Sequence, residues 1–134
     1  MRAAVVEILR RFPVMTKARL LRHDQVIDGV TLKAGEVVVL PPLQGLDPEE
    51  FEDPMTVDFN RRQAPNLTFG NGVHRCPGAT LTHAELEIVL REWLARIPEF
   101  EIDPARDLVT QGGVLGAVLR LGLRWDPGST RAVS

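Results

Sequence analysis

The chain has 134 residues and a formal net charge of −2 at pH 7, and 44% of its residues are hydrophobic. This length is sufficient for one domain with a core, and the composition is that of an ordinary globular protein. The sequence has no basic tract for nucleic acid, no apolar segment long enough to span a membrane, and one cysteine, which excludes an intrachain disulfide. Because the N-terminus lacks the layout of a signal peptide, we expect a cytoplasmic protein.

The first predicted element is a helix over residues 2–12, which ends at Pro13 because proline cannot supply the N–H that a further turn needs. Glu7 and Arg10 lie one turn apart on this helix, where they can form an ion pair. An exposed pair at this spacing contributes only a few tenths of a kcal/mol. Taken alone, the spacing therefore indicates an ordinary surface pair.

Short β-strands are predicted over residues 17–40. The Asp28-Gly29 pair lies between two short β-rich runs, an arrangement typical of a two-residue hairpin turn. Residues 37–40 are three valines and a leucine, which favour a further strand.

The second half of the chain is predicted to contain one long helix and a terminal β-hairpin. Residues 41–68 are rich in proline and aspartate, and we expect them to be irregular, with at most one short helix near residues 48–51. The long helix is predicted over residues 77–96, and its two apolar stripes predict that much of it is buried. After Gly112-Gly113, apolar residues alternate with arginines, as in a strand of a hairpin.

The segment from Phe69 to Gly78 contains the only cysteine, Cys76, and leads directly into the long predicted helix. A thiol before a helix N-terminus is favoured as the thiolate, because unpaired N–H groups and the helix dipole stabilise negative charge. Gly70 and Gly72, together with the glycine that ends the segment, allow the backbone to approach a bulky flat ligand closely.

Four interpretations of this cysteine were compared. A structural zinc site needs about four Cys or His ligands, but the chain has one cysteine and three histidines. A nucleophilic dyad of Cys76 with His74 lacks an evident residue to orient the histidine. Axial ligation of haem iron needs one thiolate, a glycine-rich cradle and a basic residue for the propionates. A buried cysteine acting as a small hydrophobe is the ordinary alternative, and the loop pattern disfavours it.

The cysteine segment resembles the haem-binding loop of cytochrome P450. All five fixed positions of that loop are matched, by Phe69, Gly72, His74, Cys76 and Gly78. Five matches within ten residues make this a specific resemblance.

The rest of the chain resembles the C-terminal part of the same fold. The family's Glu-x-x-Arg helix is matched at residues 7–10. The expected fold is mixed α+β, with a Glu-x-x-Arg helix, a small β-sheet, a meander, the cysteine loop, a long proximal helix and a terminal β-hairpin. We expect residues 1–126 to be the C-terminal haem-binding portion of a P450 domain and residues 127–134 to be a frayed tail. The chain looks most like the soluble bacterial, camphor-hydroxylating members.

The resemblance implies a haem b cofactor whose iron is ligated by the thiolate of Cys76. It also implies that His74 and Arg19 bind the haem propionates and that Phe69 packs near the proximal haem face. The alternatives are a solvated loop histidine, an outward-facing strand arginine and an aromatic core residue. The implied cofactor-binding residues are Cys76, His74, Arg19, Phe69, Gly70, Gly72 and Gly78.

The resemblance further implies that Glu7 and Arg10 form a buried structural pair that ties their helix to the meander. Many members add a third, basic partner from the meander, and our alignment places Thr56 at that position. Either the network is reduced to a neutral hydrogen bond there, or Arg61 or Arg62 takes the place of the missing base.

Three residues align with positions that touch substrate in the camphor-type enzymes: Met15, Val114 and Leu115. Their alternative role is plain core packing. Lys17 stands where those relatives carry an acidic residue near a propionate, so the propionate cluster differs here in a way that favours a direct Lys17 contact.

The implied activity is that of a haem-thiolate monooxygenase, which hydroxylates a small apolar, terpenoid-like substrate with O₂ and electrons from a ferredoxin. The family's oxygen-activating acid–alcohol pair lies on a distal helix that would precede Glu7, and the sequence shows no counterpart. We therefore expect a fragment with no catalytic residue beyond Cys76 and no turnover by itself. The alternative is a non-catalytic haem-binding remnant or an unstable truncated product.

Overall fold

The computed structural model describes residues 1–62 and 66–130 and has the predicted mixed α+β architecture. Over these residues, two α-helices and eight short strands form, and the strands make four separate antiparallel pairs. The helices are α1 (Arg2–Arg11) and α2 (Ala79–Arg96). The strands are β1 (Lys17–Leu20), β2 (Gln25–Ile27), β3 (Val30–Leu32), β4 (Val37–Leu40), β5 (Glu101–Ile102), β6 (Val109–Gln111), β7 (Ala117–Arg120) and β8 (Leu123–Arg124). Short 3₁₀ helices span Leu43–Leu46, Gly72–His74 and Pro127–Ser129.

The predicted first helix is confirmed as α1. It ends before Pro13, and the N–H of Phe12 donates to the carbonyl of Ile8 at 2.9 Å to close the last turn. The hydrophobic core of the described residues is small. It consists of Val5 on α1, which is fully buried, together with Phe51 and the first residue of α2.

The predicted hairpin at Asp28-Gly29 is confirmed as the β2–β3 pair. Both turn residues have positive φ, 49° and 78°, as a type I′ turn requires. β1 and β4 form an antiparallel pair in which Lys17 lies opposite Leu40, and the two strands stay paired along their whole length. The predicted strand over residues 37–40 is therefore confirmed.

No helix forms at residues 48–51, where at most a short one was expected. A 3₁₀ helix lies earlier in this segment, at Leu43–Leu46. At residues 48–51 the chain makes a single turn, in which the N–H of Phe51 donates to the carbonyl of Asp47 at 2.9 Å. The turn does not grow into a helix because Asp53, shortly after it, has a φ of 44°, outside the right-handed helical region.

The predicted terminal hairpin is present as the β6–β7 pair, but the alternating run does not continue as one strand. It breaks at Gly122, whose carbonyl accepts a hydrogen bond from the N–H of Asp103 at 2.9 Å. A Cβ on this glycine would lie 2.6 Å from the Cβ of Arg106, so the close approach needs glycine. β8 then pairs with β5.

The predicted frayed tail is partly described. Pro127–Ser129 form a 3₁₀ helix, and the side chain of Asp126 accepts the N–H of Gly128 at its start. Residues 131–134 of that predicted tail lie outside the described residues.

The long predicted helix forms as α2, beginning at Ala79, but the predicted burial of its apolar stripes is not found. Leu81 is 62% exposed, and Ile88 and Val89 are also largely exposed. Within the described residues, α1 packs against α2, and Trp93 packs edge-on against aromatic rings near the helix C-terminus. These contacts leave Leu86, Leu90 and Trp93 half-buried and much of the rest of the stripes exposed. No helix among the described residues is long and apolar enough to cross a membrane.

Candidate functional site

The ion pair of Glu7 with Arg10 is the most deeply buried polar feature of the structure. Arg10 donates from Nε to Glu7 Oε2 at 2.8 Å and from Nη2 to Glu7 Oε1 at 2.7 Å, and the two residues are only 2% and 4% exposed. This two-point geometry makes the pair charge-assisted and directional. Arg61 adds a contact from Nε to Glu7 Oε1 at 3.2 Å. Of the alternatives left open by the sequence, Arg61 is thus the third partner.

The 3₁₀ helix at Leu43–Leu46 and the meander, which is formed by residues 51–61, contribute backbone groups to this pair. Arg10 donates to the carbonyl of Gly45 in the 3₁₀ helix and to those of Pro54 and Thr56 in the meander. The Thr56 carbonyl also accepts Arg61 Nη2 at 3.0 Å, so the threonine contributes its backbone oxygen. Together these hydrogen bonds fasten α1 to the meander that leads to the cysteine loop.

The network fixes the charge state of its carboxylate. The hydrogen bonds from Arg10 lower the pKa of Glu7 from 4.5 to about 2; burial opposes this change, and the Asp58 N–H and Arg61 support it. The same hydrogen bond to Glu7 raises the pKa of Arg10. Both groups are therefore ionised at neutral pH.

The cysteine loop is anchored at both ends. Before it, Thr68 Oγ1 donates to the carbonyl of Leu9 on α1 at 3.1 Å. The loop closes where the Cys76 N–H donates to the carbonyl of Phe69 at 2.8 Å. Between these points Gly70 has a φ of 75°, a conformation that residues with a side chain rarely adopt.

The thiol of Cys76 is free and exposed at the end of this loop. A Cβ on Gly78 would lie 3.7 Å from the sulfur, whereas a Cβ on Gly72 would meet no atom within 4 Å, so the loop borders open space at Gly72. Among residues 1–62 and 66–130, no group of three or more His, Cys, Asp or Glu side chains is placed so that it could hold a metal ion. Nor does any described hydrogen bond join His74 to the sulfur, as a dyad would require.

A cleft of about 470 Å³ lies between β1 and the cysteine loop. Its basic side chains are Lys17 and Arg19 from β1 and His74 from the loop; Cys76 is not among its lining residues. The rest of the wall is mainly apolar and consists of Val39, Leu40, Pro41, Pro42 and Leu67, with Gln44, Gly70 and Asn71. The cleft thus combines an apolar wall with concentrated positive charge. It brings Arg19 together with His74, as the resemblance implies.

Phe69 is half-buried, and its ring packs against His83 of α2 with 5.5 Å between the ring centroids. Both rings line a second cavity of about 290 Å³. His83 Nδ1 is buried and has no hydrogen-bond partner among the described residues. The sequence interpretation missed this contact. Its signal was the position of His83 in the second turn of α2, from which a side chain can reach back to the preceding loop.

The three tentative substrate-contact residues meet in the structure, although Met15 lies far from Val114 and Leu115 in the sequence. Met15 forms an isolated antiparallel bridge with Leu115, and the neighbouring Thr16 N–H donates to the carbonyl of Val114 at 2.8 Å. All three side chains are exposed, Val114 by 74%.

The comparisons with known proteins agree with these observations. The family model described as Cytochrome P450 matches residues 1–112. Probable cytochrome P450 127A1 of Sinorhizobium fredii is 37% identical over 91% of this chain and 30% of its own length. Nocardicin C N-oxygenase of Nocardia uniformis is 35% identical over 91% of this chain and 32% of its own length.

A solved structure extends the similarity to three dimensions. The crystal structure of cytochrome P450 CYP101C1 superposes with a TM-score of 0.87 at 42% identity, covering 93% of this chain and 33% of that one. The chain therefore spans about a third of the length of the relatives that it matches.

Proposed function

The chain belongs to the cytochrome P450 family, and on that premise we propose that it is the haem-binding part of a haem-thiolate monooxygenase, with Cys76 as the ligand of the iron. The observation that carries this proposal is the exposed, unpaired thiol at the end of a loop closed by the Phe69 carbonyl. Cysteine is one of the side chains that ligate haem iron, and an unpaired thiol is available to do so.

The residues present fit a haem. Cys76 supplies a single sulfur donor, and the open space beside Gly72 leaves room for a flat ligand near the loop. The basic cleft supplies Arg19 and His74 for two carboxylates, with an apolar wall for the hydrocarbon part of a porphyrin. Haem bound through a thiolate supplies O₂ activation, because the sulfur donates electron density that favours O–O cleavage.

Each of the site residues has its own role in this proposal. Cys76 would hold the iron, and the backbone hydrogen bond from its N–H to the Phe69 carbonyl positions the backbone that carries the thiol. Arg19 and His74 would orient the ring through its carboxylates. Glu7 and Arg10 keep the meander, and through it the loop, in place.

We propose a small apolar substrate, and we place its contact at the bridge of Met15 with Leu115 and at Val114. These exposed apolar side chains carry no charge, so they would recognise a hydrocarbon surface by burial rather than by hydrogen bonds. The terpenoid-like class rests on the resemblance to camphor-type members alone. A relative with a different named reaction, Nocardicin C N-oxygenase, is 35% identical over 91% of this chain, so similarity over this region does not by itself select one substrate.

A ferredoxin as electron donor and a cytoplasmic location belong to the same proposal, supported by the likeness to bacterial P450 proteins. We further propose that the 134-residue chain binds haem without turning over substrate, because it spans only about a third of the length of the P450 proteins that it matches. Measurable hydroxylation by the purified chain, supplied with ferredoxin and its reductase, would contradict this last point.

The test of the ligand assignment is the spectrum of the chain reconstituted with haem. We expect a thiolate-type spectrum for the reduced, CO-bound form, and we expect Cys76→Ala to abolish it. His23→Ala is the matched control, because this exposed histidine lies outside the cleft and the loop. An unchanged spectrum in Cys76→Ala would overturn the assignment, as would a wild-type chain that binds no haem.

A further inference from the structure

The cleft between β1 and the cysteine loop contains unneutralised positive charge. Lys17, Arg19 and His74 line it, and its described lining includes no acidic residue. The one hydrogen bond that the Arg19 side chain makes in the described structure goes to the neighbouring Ala18 carbonyl at 2.8 Å. Lys17 has no ion pair with any described residue, whereas the exposed Lys33 pairs with an aspartate. Basic groups that share a cleft without an acid repel one another unless an anion joins them.

Lys17 is placed against the cysteine loop by the register of its strand. It lies opposite Leu40 at one end of the β1–β4 pair, and its side chain reaches the loop. A Cβ added to Gly70 would lie 3.2 Å from Lys17 Nζ and 3.8 Å from its Cε. A residue larger than glycine at position 70 would therefore crowd the ammonium group. The ammonium group of Lys17 therefore lies beside the loop backbone at Gly70.

We propose that Lys17 binds a carboxylate of the haem directly, so that three basic groups serve two carboxylates. This inference rests on the proposed haem binding and adds a residue to it. Lys17 and Arg19 lie two residues apart on β1 and both line the cleft, so the strand offers two cationic side chains for two carboxylates. His74 lines the same cleft from the loop and would donate a hydrogen bond from its ring N–H.

Iron-free protoporphyrin IX tests this proposal independently of Cys76, because without iron the sulfur has nothing to ligate. Its dimethyl ester has the same ring and no carboxylate charge, so it reports contacts with the ring alone. We would titrate both porphyrins into the wild-type chain and into Lys17→Met, following porphyrin fluorescence. Lys33→Met is the control, since it removes a lysine outside the cleft.

We expect Lys17→Met to weaken binding of the free acid by about tenfold, the usual effect of losing one charge-assisted hydrogen bond, and to leave binding of the ester unchanged. Lys33→Met should match wild type with both ligands. Added salt should weaken free-acid binding more in wild type than in Lys17→Met, because salt screens the charge that the variant lacks.

Three outcomes would overturn the proposal: equal free-acid affinity in wild type and Lys17→Met, an equal loss with acid and ester, or no binding of either porphyrin by wild type. Lys17→Arg keeps the charge and should retain most of the affinity, so it decides the matter if the methionine variant folds poorly. The two proposals fail separately. A thiolate-type haem spectrum with an unaffected Lys17→Met overturns only the Lys17 assignment, whereas loss of that spectrum overturns the function.

Discussion

The polar groups around Glu7 are buried and hydrogen-bonded, whereas much of the apolar surface of α2 is exposed to solvent. Arg10 is 2% exposed, and all three of its guanidinium nitrogens have partners on α1 or the meander. By contrast, Leu81 and Val89 on α2 are more than half exposed and have apolar surface in contact with solvent. The polar network thus has all its partners within the described residues, whereas the apolar surface of the long helix lacks a covering element there.

This difference shows which part of the site is complete within the described residues. The cysteine loop is anchored to α1 through Thr68, and α1 is fastened to the meander through Arg10. These contacts join segments that are far apart in the sequence, but each needs only one donor and one acceptor in the right place. Apolar burial requires a large area of surface from another element, and the described chain offers α2 only α1 and a small aromatic cluster.

The largest expected effect on the free energy of unfolding comes from breaking the buried ion pair of Glu7 with Arg10. Glu7→Ala leaves the Arg10 charge buried without its partner, and such a loss costs about 3–5 kcal/mol in free energy of unfolding. Urea unfolding followed by circular dichroism measures it. The matched control is Glu92→Ala on α2, which removes a half-exposed i,i+4 pair with Arg96 and should cost under about 0.5 kcal/mol. Equal losses in the two variants would mean that the buried pair does not hold the fold.

Acid should weaken the same region in a defined pH range. The pKa of Glu7 is lowered from 4.5 to about 2 in the folded chain. Because the folded value lies below the unfolded one, the ionised carboxylate stabilises the fold above pH 4.5, and this contribution is lost as the pH falls from about 4.5 to 2. The shift corresponds to about 3 kcal/mol.

Urea unfolding at pH 5, 4 and 3 measures this loss. Glu7→Gln has no carboxylate to titrate, so its free energy of unfolding should change less over the same range than that of wild type. Parallel pH dependence in the two proteins would show that other carboxylates account for the acid sensitivity, and that the network around Arg10 does not.

The sequence was most informative where one local rule decides the structure. The turn at Asp28-Gly29 needs positive φ at both positions, a requirement that this residue pair signals directly. The spacing of Glu7 and Arg10 gave their pairing, since residues three apart share a helix face. The five-residue pattern of the cysteine loop gave the family, because it is specific in both residue type and spacing.

Features that depend on packing between distant segments were not predictable in the same way. Whether Thr56 or Arg61 completes the Glu7 network depends on how the meander folds back, and the structure uses the arginine side chain and the threonine carbonyl. The contact of Phe69 with His83 joins a loop to the second turn of a helix. The apolar stripes of α2 predicted a burial that the described residues do not provide, because periodicity does not say which element supplies the covering surface.

The smallest expected difference tests the comparison within one residue type. Val5→Ala removes two methyl groups from a fully buried site and should lower the free energy of unfolding by about 2 kcal/mol, since a cavity replaces packed atoms. Val89→Ala removes the same atoms from a side chain that is 58% exposed and should change it by under about 0.5 kcal/mol. Urea unfolding under identical conditions compares the two. A cost for Val89→Ala as large as that for Val5→Ala would mean that α2 is covered in solution, for example by a second copy of the chain, and concentration-dependent unfolding would then identify that contact.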